Sequence, residues 1–388
     1  MNIKQKLYWL LKEIVYFLLY SVLYRVFCLL PLDRRKIVFQ TFDGKSFSDN
    51  PKYIYLYLLK LQADFRYVWV LNNPSPDEPE LAQAKLVRFR TLAYIWQLAT
   101  AKYWIINSHL NPRLKPRQST IYIQTWHGIP LKKIALDIPG QDWQKAAWLK
   151  DAAHWTYFLS PSRKLDKIFC GAFALPEHKI LPLAYPRNDI FSDPYLQQRA
   201  QQRLAKLALP EDKKVLLYAP TFRDFQGTFK LPFNLESLAA ALQDKYVFLL
   251  KMHPNIKKLA GDGYRDFIRN VSAYPDIQEL MLVADILITD YSSVLFDFAL
   301  SGKPIILYPY DYESYARDLR GFYFDYEQVV PGPLAQNTAD LINLCRQPEL
   351  ISRQYAAKIQ EIATSFNEVC AEPAGQRLAE LLMKNSQP

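Results

Sequence analysis

Five short polar segments of this chain each come directly after an apolar run, and each holds side chains able to handle protons or phosphate. In TWHGIP, following TIYIQ, His127 has an intrinsic pKa suited to accepting a proton near neutrality, Gly128 lets a ligand approach the backbone, and Pro130 stiffens the exit. Trp126 stands directly before it and completes the candidate cluster. A lone loop histidine is by default bonded to backbone; its place at a strand tip makes His127 a candidate base. In YAPTFRD, Thr221 can cap the next segment or bond a phosphate oxygen, and Arg223 offers a planar fork for phosphate, although a solvated loop arginine looks the same. In LLKMHPN, Lys251 and His253 are two residues apart, so an extended strand end points both the same way, an arrangement suited to a pyrophosphate. In ITDYSSVLFDFA a buried strand runs into Asp290, and Ser292 and Ser293 begin a helix whose free N–H groups form a phosphate cradle. Plain N-capping by serine is compatible with that role. Asp297, four residues after Ser293, lies one turn on and can reach a ligand hydroxyl. In DLRGFYFDYE, Arg320 precedes a glycine and can close over a diphosphate, though alone it reads as a surface ion pair.

Such segments need a scaffold that gathers strand ends. KIVFQTF, FRYVWVLN, AKLVRF, KYWIINS and TIYIQTW read as buried strands, with helix-like stretches such as 51–61 and 91–101 between them. That alternation implies parallel strands with crossover helices. A second series, KVLLYAPT, KYVFLLKMHP, ADILITD and KPIILYPY, follows the polar helix-like stretch 193–207. The expected fold is α/β, two doubly wound Rossmann-like domains facing across a cleft at the carboxyl ends of their strands, and a GT-B architecture fits this count and order. The domains are set at 36–205 and 206–388, behind an N-terminal membrane-associating helix at 1–35. In the first domain Asp43, Gly44 and Lys45 sit at a strand tip, and Asn50 with Pro51 makes a helix start on what would be the acceptor side. The Pro-rich 72–80 reads as a solvated turn.

The composition, 388 residues with 50% hydrophobic and 22% charged, suffices for two buried cores and excludes a disordered or fibrous chain. A formal charge of +10 draws the protein to an anionic partner. Nucleic acid is disfavoured, because Lys and Arg form no stripe interleaved with aromatics. The four cysteines are scattered, without metal-ligand spacing, which indicates a reducing cytosol and no structural zinc. In LYWLLKEIVYFLLYSVLYRVFCLLP the charge-free core 14–24 is far short of the roughly 20 apolar residues of a spanning helix. The favoured reading is a helix in the membrane interface, with Tyr8, Trp9, Tyr16 and Tyr20 near headgroups and Lys4, Lys6, Lys12, Arg25, Arg34 and Arg35 facing anionic lipid. A tilted span and a helix packed on the protein's own core are the alternatives.

TWHGIPLKK, PRND at 186–189, YAPTFR, KMHPN, ITDYSSVLFDFA and RGFYFDYE, in this order and at these separations, resemble the CDP-glycerol glycerophosphotransferases of teichoic acid and capsule synthesis, over nearly all of 36–333. The resemblance implies a GT-B enzyme peripheral to the cytoplasmic membrane face. Such an enzyme moves glycerol phosphate from CDP-glycerol to a polyprenyl-diphosphate-linked saccharide acceptor and releases CMP. It implies His127 as general base and His253 as a holder of the donor pyrophosphate. The family's donor contacts fall on Gly128, Pro130, Arg187, Pro220, Thr221, Lys251, Met252, Ser292, Ser293 and Asp297, and Ile129 stands where threonine is commoner. Lys251, Arg320 and the Ser292/Ser293 helix end would stabilise charge alongside His253. No cofactor is evident in the sequence, and Mg²⁺ carried by the nucleotide is compatible with it. Compact size favours a primase over a polymerase. A ribitol donor, a nucleotide-sugar glycosyltransferase and a non-enzymatic basic membrane-binding or nucleic-acid-binding module are the competing readings.

Overall fold

The structure is a computed structural model and describes residues 11, 13–75, 78–140, 142–221, 231–252, 266–312, 321–367 and 372–386. Its internal contacts separate two units, one made of Met1–His127, Gly140–Arg187 and Cys370–Pro388, the other of Gly128–Pro139 and Asn188–Val369. The sequence reading placed a single seam at 205/206. The contacts divide the chain after Arg187, within the 185–212 stretch that the sequence marks as the seam, and they also exchange a loop and the C-terminal helix between the two halves of the sequence.

The first unit is built on β1 (Asp33–Gln40), β2 (Arg66–Val70), β3 (Ala84–Val87), β4 (Ala101–Ile106), β5 (Ile121–Gln124), β6 (Tyr157–Ser160) and β7 (Ile180–Pro182), in the order β3-β2-β1-β4-β5-β6-β7. Every neighbouring pair is parallel. Parallel neighbours need crossovers, and helices Asp49–Lys60, Leu92–Thr100, Asp142–Ala152 and Arg163–Phe173 supply four of the six connections. Their starts follow local chemistry. Pro51 sits in the first turn of one helix, the Thr91 side chain accepts the Tyr94 N–H, and the Ser162 side chain accepts the Lys164 N–H. Both sheet faces are covered, so β1 reads as a continuous apolar run with Ile37, Val38 and Phe39 all at 0% exposure. On one face Phe39 stacks on Trp69 at 5.2 Å and meets Tyr55 at 5.4 Å. Elsewhere in the sheet Trp104 meets Tyr122 at 5.3 Å and Tyr24 at 6.5 Å. Helix Ala374–Ser386 packs against Asp49–Lys60.

The N-terminal helix includes a π-helical stretch, Leu18–Leu23. It buries Leu19, Tyr20 and Tyr24 on the unit's own core and exposes Ile14, Val15, Phe17, Leu18, Val22 and Val26. The Tyr20 ring therefore faces protein, not headgroups, because its side of the helix is the packed one. Tyr24 donates to the Lys115 carbonyl at 2.5 Å, and Arg90 donates to the Tyr16 hydroxyl at 2.9 Å. Tyr8, Trp9, Lys4, Lys6 and Lys12 lie outside the described residues. Among the described residues no helix is long and apolar enough to cross a membrane.

The second unit holds β8 (Lys214–Tyr218), β9 (Tyr246–Leu250), β10 (Ile268–Asn270), β11 (Ile286–Thr289) and β12 (Ile305–Leu307), all parallel, in the order β10-β9-β8-β11-β12. Its core includes Tyr218, Phe233, Phe248, Ile288 and Tyr308. Strands β6, β7 and β10 are additions to those expected from sequence. In the 72–80 segment Asn73, Pro74, Ser75 and Pro79 are exposed, as a solvated turn requires, whereas Glu78 and Glu80 are buried and the Glu80 carbonyl accepts the Tyr55 hydroxyl at 2.6 Å.

Gly332 tests how β12 is closed. Leu307 N–H donates to Pro333 O and Ala335 N–H to Leu307 O, so the chain beyond Gly332 runs beside the strand. A Cβ on Gly332 would lie 1.8 Å from the Ile305 carbonyl oxygen, which no side-chain rotation relieves. Gly332→Ala is expected to destabilise this unit by about 1–3 kcal/mol, the usual cost of overpacking. Urea unfolding measures it, and an unchanged midpoint would contradict this account.

Candidate active site

In a doubly wound sheet, ligands gather outside the strand carboxyl ends at the point where strand order reverses. Each unit has one such point. In the first it lies between β1 and β4, in the second between β8 and β11.

At the first reversal β1 runs out through Thr41, Phe42 and Asp43, and β4 leads into Asn107. Asn107 is fully buried and bonds in two directions. Its Oδ1 accepts the Phe42 N–H at 2.9 Å, and its Nδ2 donates to Asp49 Oδ2 at 3.0 Å. Asp49 Oδ1 accepts the Asn50 N–H at 2.6 Å and pairs with Arg187 at 3.0 Å, with the two charged side chains only 6% and 4% exposed. Asn50 donates from Nδ2 to the Thr125 and Trp126 carbonyls at 3.1 and 3.2 Å and accepts the Arg187 N–H at 3.2 Å. The network thus cradles the loop after β5.

His127 Nδ1 lies 2.6 Å from the Asn107 carbonyl oxygen. A carbonyl only accepts, so Nδ1 carries the proton and the neutral ring keeps its lone pair on Nε2. Burial pushes the His127 pKa below the usual histidine value, opposed by the Asn107 bond and by Asp49 and assisted by Arg187 and His109. The ring is not sealed off; its residue is partly exposed. The group therefore stays deprotonated at neutral pH, with its basic nitrogen defined. Nearby, burial pushes the Asp43 carboxyl up while Arg90, Lys45 and His109 pull it down.

At the second reversal Asp290, buried at the end of β11, accepts the Thr221 N–H at 2.7 Å and the Tyr291 N–H at 2.6 Å through Oδ1. Thr289 donates to the Ala219 carbonyl at 2.7 Å. Together they lace the Pro220–Thr221 turn to the turn holding Ser292 and Ser293. Both serines are partly exposed, and the helix they precede, Val294–Phe298, has no side-chain cap from Ser293. Directly after β9, Lys251 donates to the Ser272 carbonyl at 3.1 Å and also to that of Tyr274, and burial pushes its pKa down to about 8. Its ammonium therefore ties down the 271–275 loop.

Three expected contacts look different in the structure. Asp297 is 2% exposed, and its carboxylate accepts Asn188 Nδ2 at 3.0 Å and Gln278 Nε2 at 3.4 Å, so it faces inward rather than toward a ligand hydroxyl. Met252 joins the hydrophobic core, with its N–H on the Ser272 hydroxyl. Arg187 sits within the first unit against Asp49. Gly128 and Pro130 are buried and belong to the second unit, where Lys132 bridges Phe322, Lys133 N–H donates to Gly321 O at 3.0 Å and Tyr323 N–H to Leu131 O at 3.0 Å. Arg223, His253 and Arg320 lie outside the described residues. The residues missed from sequence are Asp49 and Asn107. Asn107 had a signal, as the polar residue ending the apolar run KYWII; Asp49 had none, since only its burial reveals it.

A family profile described as CDP-glycerol:poly(glycerophosphate) glycerophosphotransferase matches residues 22–384. The chain belongs to that family. Among glycerophosphotransferase relatives, it is 38% identical over 364 residues to the teichoic acid poly(glycerol phosphate) polymerase of Bacillus spizizenii, covering 90% of this chain and 91% of that protein. To the Staphylococcus epidermidis polymerase of the same name it is 36% identical over 366 residues, covering 90% of this chain, and it spans only about half, 51%, of that protein's length. A solved structure of the wall teichoic acid polymerase TagF, a histidine variant with CDPG, is 33% identical with a TM-score of 0.87, covering 100% of this chain and 99% of that one.

The buried pair gives a test of the glycerophosphotransferase scaffold. Asp49→Ala strands Arg187 and is expected to destabilise by about 3–5 kcal/mol. Asp49→Asn with Arg187→Met removes both charges while keeping an acceptor oxygen for the neighbouring N–H groups and a residue that tolerates φ +59°, and should recover most of that loss in urea unfolding. A double variant no more stable than Asp49→Ala would show that the pair is not what the network rests on.

Proposed function

We propose that the chain transfers glycerol phosphate from CDP-glycerol to a hydroxyl of a polyprenyl-diphosphate-linked, teichoic-acid-type acceptor, with His127 as base. The observation that carries this reading is the Nδ1 bond to the Asn107 carbonyl, which leaves Nε2 as proton acceptor. The acceptor hydroxyl gives its proton to Nε2 as its oxygen attacks the β-phosphorus. The bond from that phosphorus to the bridging oxygen breaks, CMP leaves with the electron pair, and His127 later releases the proton to solvent. His253, Lys251, Arg320 and the Ser292/Ser293 turn are assigned to the donor phosphates, with Thr221, Arg223 and the Pro220 turn beside them. Preorganised donors of this kind are each worth about 10²- to 10³-fold in rate. For Lys251 this requires leaving the Ser272 and Tyr274 carbonyls when donor binds. The GT-B assignment is supported by two parallel sheets, each with one reversal point.

Chain extension and a single priming step both fit this reading. Relatives carry both the polymerase and the primase name. Compactness no longer argues for a primase, because the Bacillus spizizenii polymerase is matched over 91% of its length. His127→Ala is expected to lower CMP release from CDP-glycerol with a lipid-linked acceptor by about 10²- to 10⁴-fold, the usual contribution of a general base. Activity close to wild type would sink the base assignment. The acid limb of kcat/KM should fall below the ordinary histidine value of 6.5, because burial holds the His127 pKa down. Mass spectrometry of the product on a primed acceptor distinguishes extension from one addition.

Peripheral attachment to an anionic membrane is part of the same proposal. It is supported by the exposed Ile14, Val15, Phe17, Leu18, Val22 and Val26, beside the exposed Arg25, Arg34 and Arg35. Val15→Asp with Val22→Asp should abolish co-sedimentation of the full chain with phosphatidylglycerol vesicles while leaving its melting temperature unchanged. Retained sedimentation would exclude this face as the anchor.

A further inference from the structure

His109 and Asp151 have no role in the reading above, yet they lie one aromatic ring away from His127. His109 Nδ1 is 3.2 Å from Asp151 Oδ2, and the Asp151 side chain is 1% exposed. The same carboxylate oxygen accepts the Leu110 N–H at 3.1 Å and the Trp155 Nε1–H at 3.2 Å, while the Tyr122 hydroxyl stands 3.4 Å from the other. The His109 ring stacks on Trp155 at 5.4 Å and Trp148 at 5.9 Å. It meets Trp126 at 5.9 Å and Phe173 at 5.7 Å. A carboxylate and four aromatic rings thus fix one imidazole, more restraint than an isolated core histidine needs.

The restraint has a target. Trp126 has φ +54°, a left-handed conformation that a bulky residue holds only when its surroundings over-determine it. Its backbone is anchored at both ends, by the bond from Trp126 N–H to Gln124 Oε1 at 3.0 Å and by those from Asn50 Nδ2 and Thr125 Oγ1 to the Trp126 carbonyl. The indole supplies the third anchor, against His109, against Phe173 at 4.9 Å and against Phe158 at 6.0 Å. That indole lies 4.2 Å from the His127 ring, centroid to centroid. We infer that His109 and Asp151 form a positioning pair for this reaction, holding Trp126 in its left-handed conformation and so aiming His127 Nε2 at the acceptor hydroxyl. The inference rests on the assignment of His127 as base.

The pair has an electrostatic consequence as well. Charge on His109 opposes protonation of His127, alongside Arg187 and against Asp49. His109 is itself faced by Asp151 and by the charge of Asp43. Removing the His109 charge therefore raises the His127 pKa, an effect that a purely packing role would not produce.

The experiment compares full-length His109→Asn, His109→Phe and His127→Ala with wild type, reading CMP release from CDP-glycerol against pH, together with thermal melting. His109→Asn keeps a side-chain donor for Asp151 and removes the ring. It is expected to lower kcat about 10- to 100-fold, the scale of a misplaced reacting group, with the KM for CDP-glycerol unchanged. His109→Phe keeps a ring against Trp126 but loses the Asp151 bond, and should recover only part of kcat. Both variants should move the acid limb of kcat/KM to higher pH. Wild-type kcat and an unmoved acid limb in His109→Asn overturn the inference, even when His127→Ala is inactive. An active His127→Ala instead removes the base assignment beneath it. Should His109→Asn fail to fold, Asp151→Asn decides: a fall in kcat of about tenfold or more with the KM for CDP-glycerol unchanged supports the pair, and wild-type kcat overturns it.

Discussion

A side chain that crosses the reversal of a parallel sheet has to satisfy backbone groups that no strand can reach, and in this protein each unit depends on one such bridge. Asn107 takes the Phe42 N–H in the first unit, and Asp290 takes the Thr221 N–H in the second. Strands diverge at these points, and an N–H of the chain beyond each strand that loses its acceptor inside the protein costs about 1–3 kcal/mol. The bridges also set the loops that follow. Asn107 is better placed than a backbone group to do so, since its amide joins Asp49 on one side and its own carbonyl fixes His127 on the other.

That arrangement explains why an ion pair is buried at the helix start Asp49–Lys60. Asp49 has φ +59°, an unfavourable conformation for a residue with a Cβ, and its carboxylate is inside the protein. The conformation turns the carboxylate back toward Asn50 N–H, Asn107 Nδ2 and Arg187 together. A buried pair of this kind contributes little net stability compared with an apolar replacement. Its contribution is geometric, because it gives the amide of Asn107 one orientation.

Much of the scaffold was legible from residue patterns, for reasons that also explain what was not. The runs KIVFQ, RYVWV, KYWII and KVLLY are covered on both faces, so their apolar character is continuous and their strand assignment direct. Strands β7 and β10 have three residues each, and ILP and IRN carry too little pattern to stand out from loop. The candidate base was legible because glycine and proline flank a histidine at a strand tip. Its partners were not, since Asp49 and Asp151 look like ordinary polar helix residues until burial shows that they face inward. Asp297 shows the converse: helical spacing predicts which face a residue occupies, not whether that face is covered, and here Asn188 bonds its carboxylate. The N-terminal helix shows the same limit, with one aromatic side packed on protein and the apolar remainder exposed.

The path of the chain has a practical corollary for building hybrids. Helix Ala374–Ser386 packs on Asp49–Lys60, while Gly128–Pro139 is counted with the later strands, so each unit is assembled from separate stretches of sequence. A single splice near residue 205, joining the front of this chain to the back of a relative, would give the first unit a foreign terminal helix and the second a foreign partner for Leu131–Lys133. Exchange of donor or acceptor preference between relatives therefore requires at least the 128–139 loop and the terminal helix to travel with the unit each one completes.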